Sequence, residues 1–463
     1  MAQGSTGAAA THPQSAAIAD WTARPPSATR DLDRDTLTFS EFWQKGLALL
    51  GQVPGKDKRN EAEQALAQTI LDASRRTRSV FLRAHAPALY RRLTADLTRH
   101  VRVEALAEAA AEHVPGLTPT KAQVAAERAC LQKNKDGHEI DQGLLFNHFI
   151  GDKDCGLHLC HTMLLPRAEA LAQRERLARE GRVDLGTASV ERRGKASIVT
   201  MNNPRYLNAE DDNTLPGVET AIDLALLDSD TSVCVLRGSR IEGGKYNGQN
   251  VFSTGINLTH LYNGKISFLW YLIRDMGFVN KMFRGLALPD LPPDEIFGDT
   301  LEKLWIAVVE KFAIGGGCQY LLATDYVLAA SDSYMTLPAR KEGIIPGVAN
   351  LRLTRFVGDR LARQLVMYER RLDCDSPEGR LVCDDVVDPE KIEQALTDVI
   401  DRLTTSGVVS AASNRRAFRI AQEPLDLFRS YMAVYSREQA ACHFSPALIS
   451  NLERYWNAQQ RAA

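Results

Sequence analysis

The sequence predicts an α/β protein in which a mostly parallel sheet lies between an N-terminal all-helical domain and C-terminal helices. Three patterns support this prediction. Short apolar runs typical of buried strands alternate with helical segments between about residues 183 and 400, which favours βαβ units. The segments before and after this region have helical spacing. Glycine-rich turns follow two of the predicted strands.

The N-terminal part of the chain divides into two predicted regions. Residues 1–36 are rich in Ala, Ser, Thr and Pro and lack sustained periodicity, so we predict that they are mostly disordered. Residues 37–182 are predicted to form a helical domain. Two apolar stripes predict successive helices within it: Leu66, Ile70 and Ala73, then Leu89, Leu93, Leu97 and Val101.

One segment of the helical domain combines two cysteines with two histidines, Cys155, His158, Cys160 and His161. The intervals between them do not fit a zinc finger, and no second ligand pair lies downstream. Packing of these residues on a buried helix is therefore the favoured interpretation, and we expect no metal.

Residues 183–400 are predicted to form the α/β core. Two strand-like runs at 185–191 and 196–201 flank a plausible hairpin turn. Helices and strands then alternate, with helices predicted at 219–227, 266–282 and 319–324 and strands at 232–236, 304–309 and 326–330. Residues 401–463 are predicted to be a C-terminal helical region.

Composition and charge exclude several classes of protein. Lys plus Arg (56) nearly balances Asp plus Glu (58), so no overall field favours nucleic acid or an anionic membrane. No apolar run reaches about 18 residues, and the N-terminus lacks a secretory pattern, so we expect no membrane partner. Eight scattered cysteines are typical of reduced thiols. We therefore expect a cytoplasmic protein.

The two glycine turns are the main functional signal. The turn at 313–319 joins a buried strand to a helix, and the turn at 251–258 follows another strand. Glycine lets a backbone N–H approach a ligand without interference from Cβ, and an N–H at a helix start carries partial positive charge. Two such turns that aim one amide each at the same point would form an oxyanion hole.

The chain resembles the crotonase (enoyl-CoA hydratase/isomerase) superfamily in four segments that occur in the family's order: 198–209, 252–258, 313–325 and 343–347. The resemblance implies a spiral of ββα units and an acyl-CoA substrate whose thioester carbonyl is bound by two backbone amides. By position these are the amides of Ile256, directly after Gly255, and of Gly316. The resemblance also implies CoA contacts at Arg205, Tyr206 and Ala209.

The acid groups of family hydratases are absent. Those enzymes use two glutamates, and the corresponding positions are Gln319 and Ala339, which cannot act as a general acid/base pair. Glu342 would replace one of them only after a shift in register, which we do not favour. We expect Gln319 to orient a substrate, a water or an O2-derived intermediate, although a hydrogen bond to backbone is the alternative.

The segment 266–278 is dense in aromatic side chains and, by the resemblance, walls the acyl pocket, so we expect an aromatic acyl group. Arg274 within it is a candidate to bind a phenolic hydroxyl or an anion, the alternative being the exposed end of an amphipathic helix. Glu210 is a candidate to bind a ring hydroxyl or take a proton, and a solvated carboxylate is the alternative.

The N-terminal helices, the glutamine at position 319 and the long aromatic insert resemble a subgroup of crotonases that are oxygenases. The resemblance implies a dioxygenase without metal or other cofactor that converts an aryl-acetyl-CoA with O2 through an enolate. It also implies homotrimers or homohexamers. Two alternatives stay open: another aryl-acyl-CoA reaction, such as thioester hydrolysis or decarboxylation, and a non-catalytic CoA-binding scaffold. Oxygen consumption distinguishes a dioxygenase from the first alternative, and release of CoA distinguishes an enzyme from the second.

Overall fold

A computed structural model describes residues 14–405 and 407–457. Helices make up its N-terminal part: α1 (Ser15–Thr22), α2 (Leu32–Leu50), α3 (Glu61–Leu93), α4 (Val103–His113), α5 (Lys121–Arg128), α6 (Ile140–Gly151), α7 (Lys153–Leu164) and α8 (Ala168–Glu180). The C-terminal part is helical as well: α16 (Ile392–Thr405), α17 (Val408–Gln422), α18 (Leu425–His443) and α19 (Pro446–Trp456).

Strands and helices alternate between these two parts. The strands are β1 (Arg182–Asp184), β2 (Ala188–Arg193), β3 (Ala196–Met201), β4 (Val233–Gly238), β5 (Leu286–Ala287), β6 (Thr300–Leu301), β7 (Leu304–Val309), β8 (Phe312–Ile314), β9 (Tyr326–Ala330), β10 (Tyr334–Thr336), β11 (Leu372–Asp373) and β12 (Asp385–Val387). The helices are α9 (Leu215–Leu227), α10 (Leu258–Tyr262), α11 (Phe268–Met276), α12 (Phe278–Arg284), α13 (Gly316–Leu321), α14 (Ala339–Glu342) and α15 (Ala349–Tyr368).

The main sheet has the strand order β1-β2-β3-β4-β7-β9-β12. The predicted hairpin is confirmed, since β2 and β3 pair antiparallel around the turn between Arg193 and Ala196. From β3 onward every neighbouring pair is parallel. The strands at the centre of the sheet are buried along almost their whole length, as expected when helices cover both faces of a parallel sheet.

A second, smaller sheet runs beside the main one and completes a spiral of ββα units. Strand β8 follows β7 and leads into α13, and β10 follows β9 and leads into α14. Strands β8 and β10 pair in parallel. A parallel bridge from Ser253 to Ala313 adds the segment after β4, which leads into α10. The expected ββα spiral is thus present in three successive turns.

The N-terminal helices differ from the prediction in two places. Residues 1–13 lie outside the described part of the chain, but the prediction of disorder is wrong for residues 15–22. They form α1, because Trp21 is buried, stacks on Phe42 at 4.4 Å between ring centroids, and donates a hydrogen bond to the Phe42 carbonyl. The first predicted stripe and the first two residues of the second, Leu89 and Leu93, belong to one helix, α3. This helix ends at Leu93 because the chain turns left-handed at Ala95–Leu97, so Leu97 and Val101 lie outside it.

Three further expectations need correction. The predicted helix at 266–282 is two helices, because Gly277 has φ −88° and ψ −114°, outside the helical region. The boundary drawn between residues 36 and 37 falls inside α2, and the one between 400 and 401 falls inside α16.

Among the helices that the structure describes, none has the length and apolar character needed to cross a membrane.

The N-terminal and C-terminal helices meet through α6 and α18. Asn147 of α6 donates a hydrogen bond of 2.6 Å to the carbonyl of Ala433 in α18. The two helices approach so closely at Gly143 that an added Cβ would lie 2.9 Å from the carbonyl oxygen of Ser436. This contact is relevant to the candidate active site described below, because α18 also contributes a residue to the lining of its cavity.

Candidate active site

The spiral places the two glycine turns side by side. The Ser253 amide donates to the carbonyl of Phe312 at 3.3 Å, and the Ile314 amide donates to the Ser253 carbonyl at 3.0 Å. Since the two segments run parallel, the turns that follow them leave the sheet at the same edge. A Cβ added to Gly255, which has φ +74°, would lie 2.6 Å from the amide nitrogen of Gly316. The second turn therefore leaves no space for a side chain on the first.

The amides predicted for the oxyanion hole belong to these two turns. Ile256 and Gly316 both line one cavity. Gly316 is the first residue of α13, where an N–H has no partner within its helix. Within residues 14–405 and 407–457, neither amide donates a hydrogen bond to another protein group. Two backbone donors are thus available to a ligand in this cavity.

The cavity is narrow, with a volume of about 30 Å³. Helix α11 contributes Trp270 and Tyr271 to its wall, and α18 contributes Tyr435 from above. The turn at 344–347 closes another side. Aromatic and apolar groups therefore form much of the lining, as expected of a site for an apolar or aromatic acyl group.

Arg274 of α11 is the centre of a buried hydrogen-bond network. Its exposed fraction is only 2%, so the alternative of a helix end at the surface is wrong. Nε and Nη2 donate to the Glu210 carboxylate at 2.6 and 3.1 Å, and Nη1 donates to Asp275 at 2.8 Å. Nη1 also donates to Gln319 at 2.6 Å, and Nη2 donates to the Gly316 carbonyl at 3.0 Å.

These five hydrogen bonds use all five N–H groups of the guanidinium. The guanidinium also lies over the ring of Tyr320, 4.8 Å from its centroid. Burial lowers the pKa of Arg274, but the negative charges of Glu210 and Asp275 outweigh burial and raise it well above its ordinary value. A ring hydroxyl could accept from Arg274 only by displacing a protein acceptor. The arrangement therefore fits an anchor for the site better than a direct ligand of the substrate.

The network fixes the orientation of Gln319. Because arginine only donates, the side-chain oxygen of Gln319 must face Arg274. The side-chain nitrogen Nε2 of Gln319 donates to no described protein group, and the residue lines the cavity. Gln319 thus offers a donor to a ligand. Ala339, at the position of the second hydratase carboxylate, lines the same cavity with a methyl group.

Glu210 is buried but does not belong to the cavity lining. Its carboxylate lies behind Gly316: a Cβ added to Gly316 would overlap Glu210 Oε1 and lie 2.8 Å from Arg274 Nη2. The alternative of a solvated carboxylate is therefore wrong. Glu210 instead holds Arg274, and only glycine fits between this ion pair and the cavity.

Glu342 is a cavity residue that sequence reasoning did not favour. It ends α14, is 9% exposed, and lines the cavity beside the second glycine turn. Burial raises the pKa of its carboxyl to about 8, an effect that the positive charge of Lys341 partly offsets. Its role was missed because the resemblance to family hydratases assigns the carboxylate to position 339, three residues earlier on the same short helix.

The residues predicted to contact CoA lie outside this cavity. Arg205 is exposed, with its guanidinium 5.4 Å from the ring centroid of Tyr206, and Ala209 is buried. The Ala209 amide donates to the Tyr206 carbonyl, and its own carbonyl accepts from Asn203. Thr254, in the first glycine turn, donates to the Tyr206 carbonyl at 3.1 Å. These residues are therefore tied to the turn that carries the Ile256 amide.

The Cys155–His161 segment lies on α7, with both cysteines and both histidines buried. Across the described residues, no group of three or more His, Cys, Asp and Glu side chains is placed to hold a metal ion.

The spiral fold, the paired glycine turns and the cavity between them define a crotonase, and the chain belongs to the crotonase (enoyl-CoA hydratase/isomerase) superfamily. The family model for enoyl-CoA hydratase/isomerase matches residues 296–433. The chain is 42% identical over 393 residues to (3,5-dihydroxyphenyl)acetyl-CoA 1,2-dioxygenase from Amycolatopsis orientalis, and the match covers 85% of this chain and 89% of that enzyme.

Shorter relatives match about half of the chain. A short-chain-enoyl-CoA hydratase from Clostridium acetobutylicum is 27% identical over 51% of this chain and 82% of its own length. The solved structure of an enoyl-CoA hydratase/isomerase from Xanthobacter autotrophicus Py2 covers 60% of this chain and 96% of its own, with 19% identity and a TM-score of 0.48.

Proposed function

We propose that the protein is a cofactor-independent dioxygenase that converts 3,5-dihydroxyphenylacetyl-CoA and O2 to 3,5-dihydroxyphenylglyoxylate and CoA. The observation that carries this proposal is the 42% identity to (3,5-dihydroxyphenyl)acetyl-CoA 1,2-dioxygenase, which extends over the N-terminal helices as well as the core. The product would supply a precursor of dihydroxyphenylglycine in glycopeptide antibiotic biosynthesis. Assembly as a homotrimer or homohexamer stays a prediction.

The two amides at the cavity support an enolate as the reactive species. When a proton leaves C2 of the acyl group, negative charge develops on the thioester oxygen. A preorganised backbone donor is worth about 3–4 kcal/mol to such a charge. The free amides of Ile256 and Gly316 lie on neighbouring turns of the same cavity, so both can serve one oxygen.

The side chains at the hydratase positions support oxidation over hydration. Gln319 and Ala339 cannot transfer protons, so the two positions whose carboxylates activate water in family hydratases carry none here. The aromatic wall of α11 favours an aryl group, whose ring delocalises the C2 carbanion. The aromatic and aliphatic part of the lining would favour O2, which is apolar, over water.

The overall reaction balances without an external reductant. The enolate carbon transfers electrons to O2 and forms a C2–O bond. The distal peroxide oxygen attacks the thioester carbon and expels CoA as a thiolate. The O–O bond then breaks as the second C2 hydrogen leaves as a proton, which gives the ketone and the carboxylate. Both oxygen atoms of O2 remain in the product.

An oxygen electrode tests the proposal with the purified full chain and 3,5-dihydroxyphenylacetyl-CoA. We expect one O2 to be consumed for each CoA released, and the labelled product from ¹⁸O2 to carry two heavy atoms. CoA release without oxygen uptake would instead establish a thioesterase. Binding without CoA release would establish a scaffold. Phenylacetyl-CoA, which lacks the hydroxyls, is the matched substrate for measuring their contribution.

Exhaustive chelation tests the absence of a metal requirement. We expect dialysis against a strong chelator, followed by metal analysis of the protein, to leave the rate of CoA release unchanged. Loss of activity that one particular metal restores would contradict the cofactor-independent mechanism.

A further inference from the structure

Formation of an enolate requires a group that accepts the C2 proton, and Gln319 and Ala339, at the hydratase positions, cannot accept it. Two carboxylates close to the cavity are already engaged. Glu210 accepts two hydrogen bonds from Arg274, and Asp275 accepts one. A proton placed on either would weaken a buried ion pair, which makes both poor acceptors.

Glu342 is the remaining acidic side chain of the cavity lining. We propose that Glu342 is the general base that removes the C2 proton of the acyl-CoA, an inference that rests on the proposed function.

The position of the carboxyl group supports this role. Glu342 Oε2 lies 3.7 Å from the point where a Cβ on Gly315 would be, directly beside the turn that presents the Gly316 amide. In a thioester the carbonyl oxygen and C2 are bonded to the same carbon. A base for C2 must therefore lie close to the donors that bind the oxygen, and Glu342 does.

The carboxyl group is both buried and without a hydrogen-bond donor. It is 9% exposed, and within the part of the chain that the structure describes no side chain or amide donates to it. A carboxyl group that lines a cavity without a protein donor is available to a ligand. Tight packing holds it in place, since a Cβ on the next residue, Gly343, would lie 2.9 Å from Leu448 Cα of α19.

The acidity of the group suits the reaction. Burial raises the pKa of Glu342 to about 8, so only about a tenth of the carboxyl is ionised at pH 7, but the carboxylate is a stronger base than an exposed one. Glu342 lines the candidate active-site cavity and a second cavity on its other side. The charged and titratable groups in the first are Tyr271, Arg274 and Asp275 of α11 and Tyr435 of α18. Those in the second are Lys341 on its own helix, Glu369 after α15 and Tyr455 of α19.

The proton transfer balances within the site. The C2–H bond breaks, and its electron pair forms the C1–C2 double bond. The carbonyl electron pair moves to the oxygen, where the amides of Ile256 and Gly316 donate to it. The proton forms a bond to a Glu342 carboxylate oxygen.

Deuterium exchange without oxygen isolates this step. Full-length protein and 3,5-dihydroxyphenylacetyl-CoA are mixed in D2O under anaerobic conditions, and deuterium at C2 is measured by mass spectrometry. We expect rapid exchange with the wild type and a rate about 10²–10⁴-fold lower with Glu342→Gln. Glu342→Asp should restore part of the rate. Glu369→Gln, which removes a nearby carboxylate outside this cavity, is the control and should exchange at the wild-type rate.

Binding and pH dependence separate a base from a structural residue. Affinity for the substrate, measured anaerobically, should change less than about threefold in Glu342→Gln. The wild-type exchange rate should rise with pH through a midpoint near 8, and the variant should lose this dependence. Loss of binding or of the folded state in both Glu342 variants would overturn the inference in favour of a structural role.

The remaining outcomes distinguish this inference from the proposed function. Undiminished exchange in Glu342→Gln, together with normal oxygen uptake, would overturn the role of Glu342 alone. Absence of both exchange and oxygen uptake in the wild type would overturn the proposed function and the inference with it.

Discussion

Replacement of Arg274 by methionine should destabilise the protein strongly. Methionine has a similar length and fills the space, but it cannot donate. The substitution leaves the buried carboxylates of Glu210 and Asp275 and the side-chain oxygen of Gln319 without their donor. Removal of one partner from a buried ion pair costs about 3–5 kcal/mol. We therefore expect the free energy of unfolding to fall by about 3–5 kcal/mol.

Urea unfolding, extrapolated to water, measures this loss. The double variant Arg274→Met/Glu210→Gln should recover about 1–3 kcal/mol of it, because one uncompensated charge is removed as well. Arg363→Met is the control. Arg363 pairs with Asp359 at the surface, where both side chains are more than half exposed, so its loss should cost less than about 1 kcal/mol. A cost for Arg274→Met similar to that of the control, or no recovery in the double variant, would refute the reasoning.

Three other substitutions probe the same site. Gly255→Ala should lower the rate of CoA release by about 10²–10³-fold, because the methyl group would lie 2.6 Å from the Gly316 amide nitrogen and displace a donor of the oxyanion hole. Steady-state kinetics measure this, and an unchanged rate would contradict it. Glu342→Gln should remove a pH dependence of stability. The folded-state pKa of about 8 exceeds the unfolded one, so the folded protein binds more protons between about pH 5 and 8, and wild-type stability should fall by up to about 1.4 kcal/mol per pH unit as pH rises. Urea unfolding at pH 5 and pH 8 measures this dependence for the wild type and the variant. An equal change in the free energy of unfolding between the two pH values in both proteins would contradict the reasoning. Gln319→Ala should slow turnover and leave the folded state intact, because it removes a donor that faces the cavity; unchanged kinetics with normal thermal unfolding would contradict this role.

Local sequence patterns were sufficient to predict the central strands of the main sheet. Strands β7 and β9 occupy the predicted residues, since continuous apolar runs of five or six residues flanked by glycine or charge have few other structures open to them. Helix ends were harder to predict. Apolar spacing continues past Leu93 to Val101, but the backbone at Ala95 to Leu97 is left-handed, and spacing carries no information about that turn.

The candidate site was predictable in its backbone and less so in its side chains. The glycine turns at 255 and 315 are local features that the sequence displays. The partners of Arg274 are 64 residues away at Glu210 and 45 residues away at Gln319, so no periodicity reveals that its donors are all used. The orientation of the Glu342 carboxyl likewise depends on α18 and α19, which come about a hundred residues later in the chain.

The close approach of α6 to α18 links the N-terminal helices to the wall of the cavity. Gly143 admits the backbone of Ser436, and the preceding residue on α18, Tyr435, covers the cavity. A chain shortened to the sheet and its own helices would lose the support beneath this cover, and bulk water would reach a thioester and a carbanion that both react with it. The extra helices that distinguish this chain from shorter crotonases therefore support one wall of the cavity from outside, and we expect a substitution at position 143 to change turnover although the residue does not line the cavity.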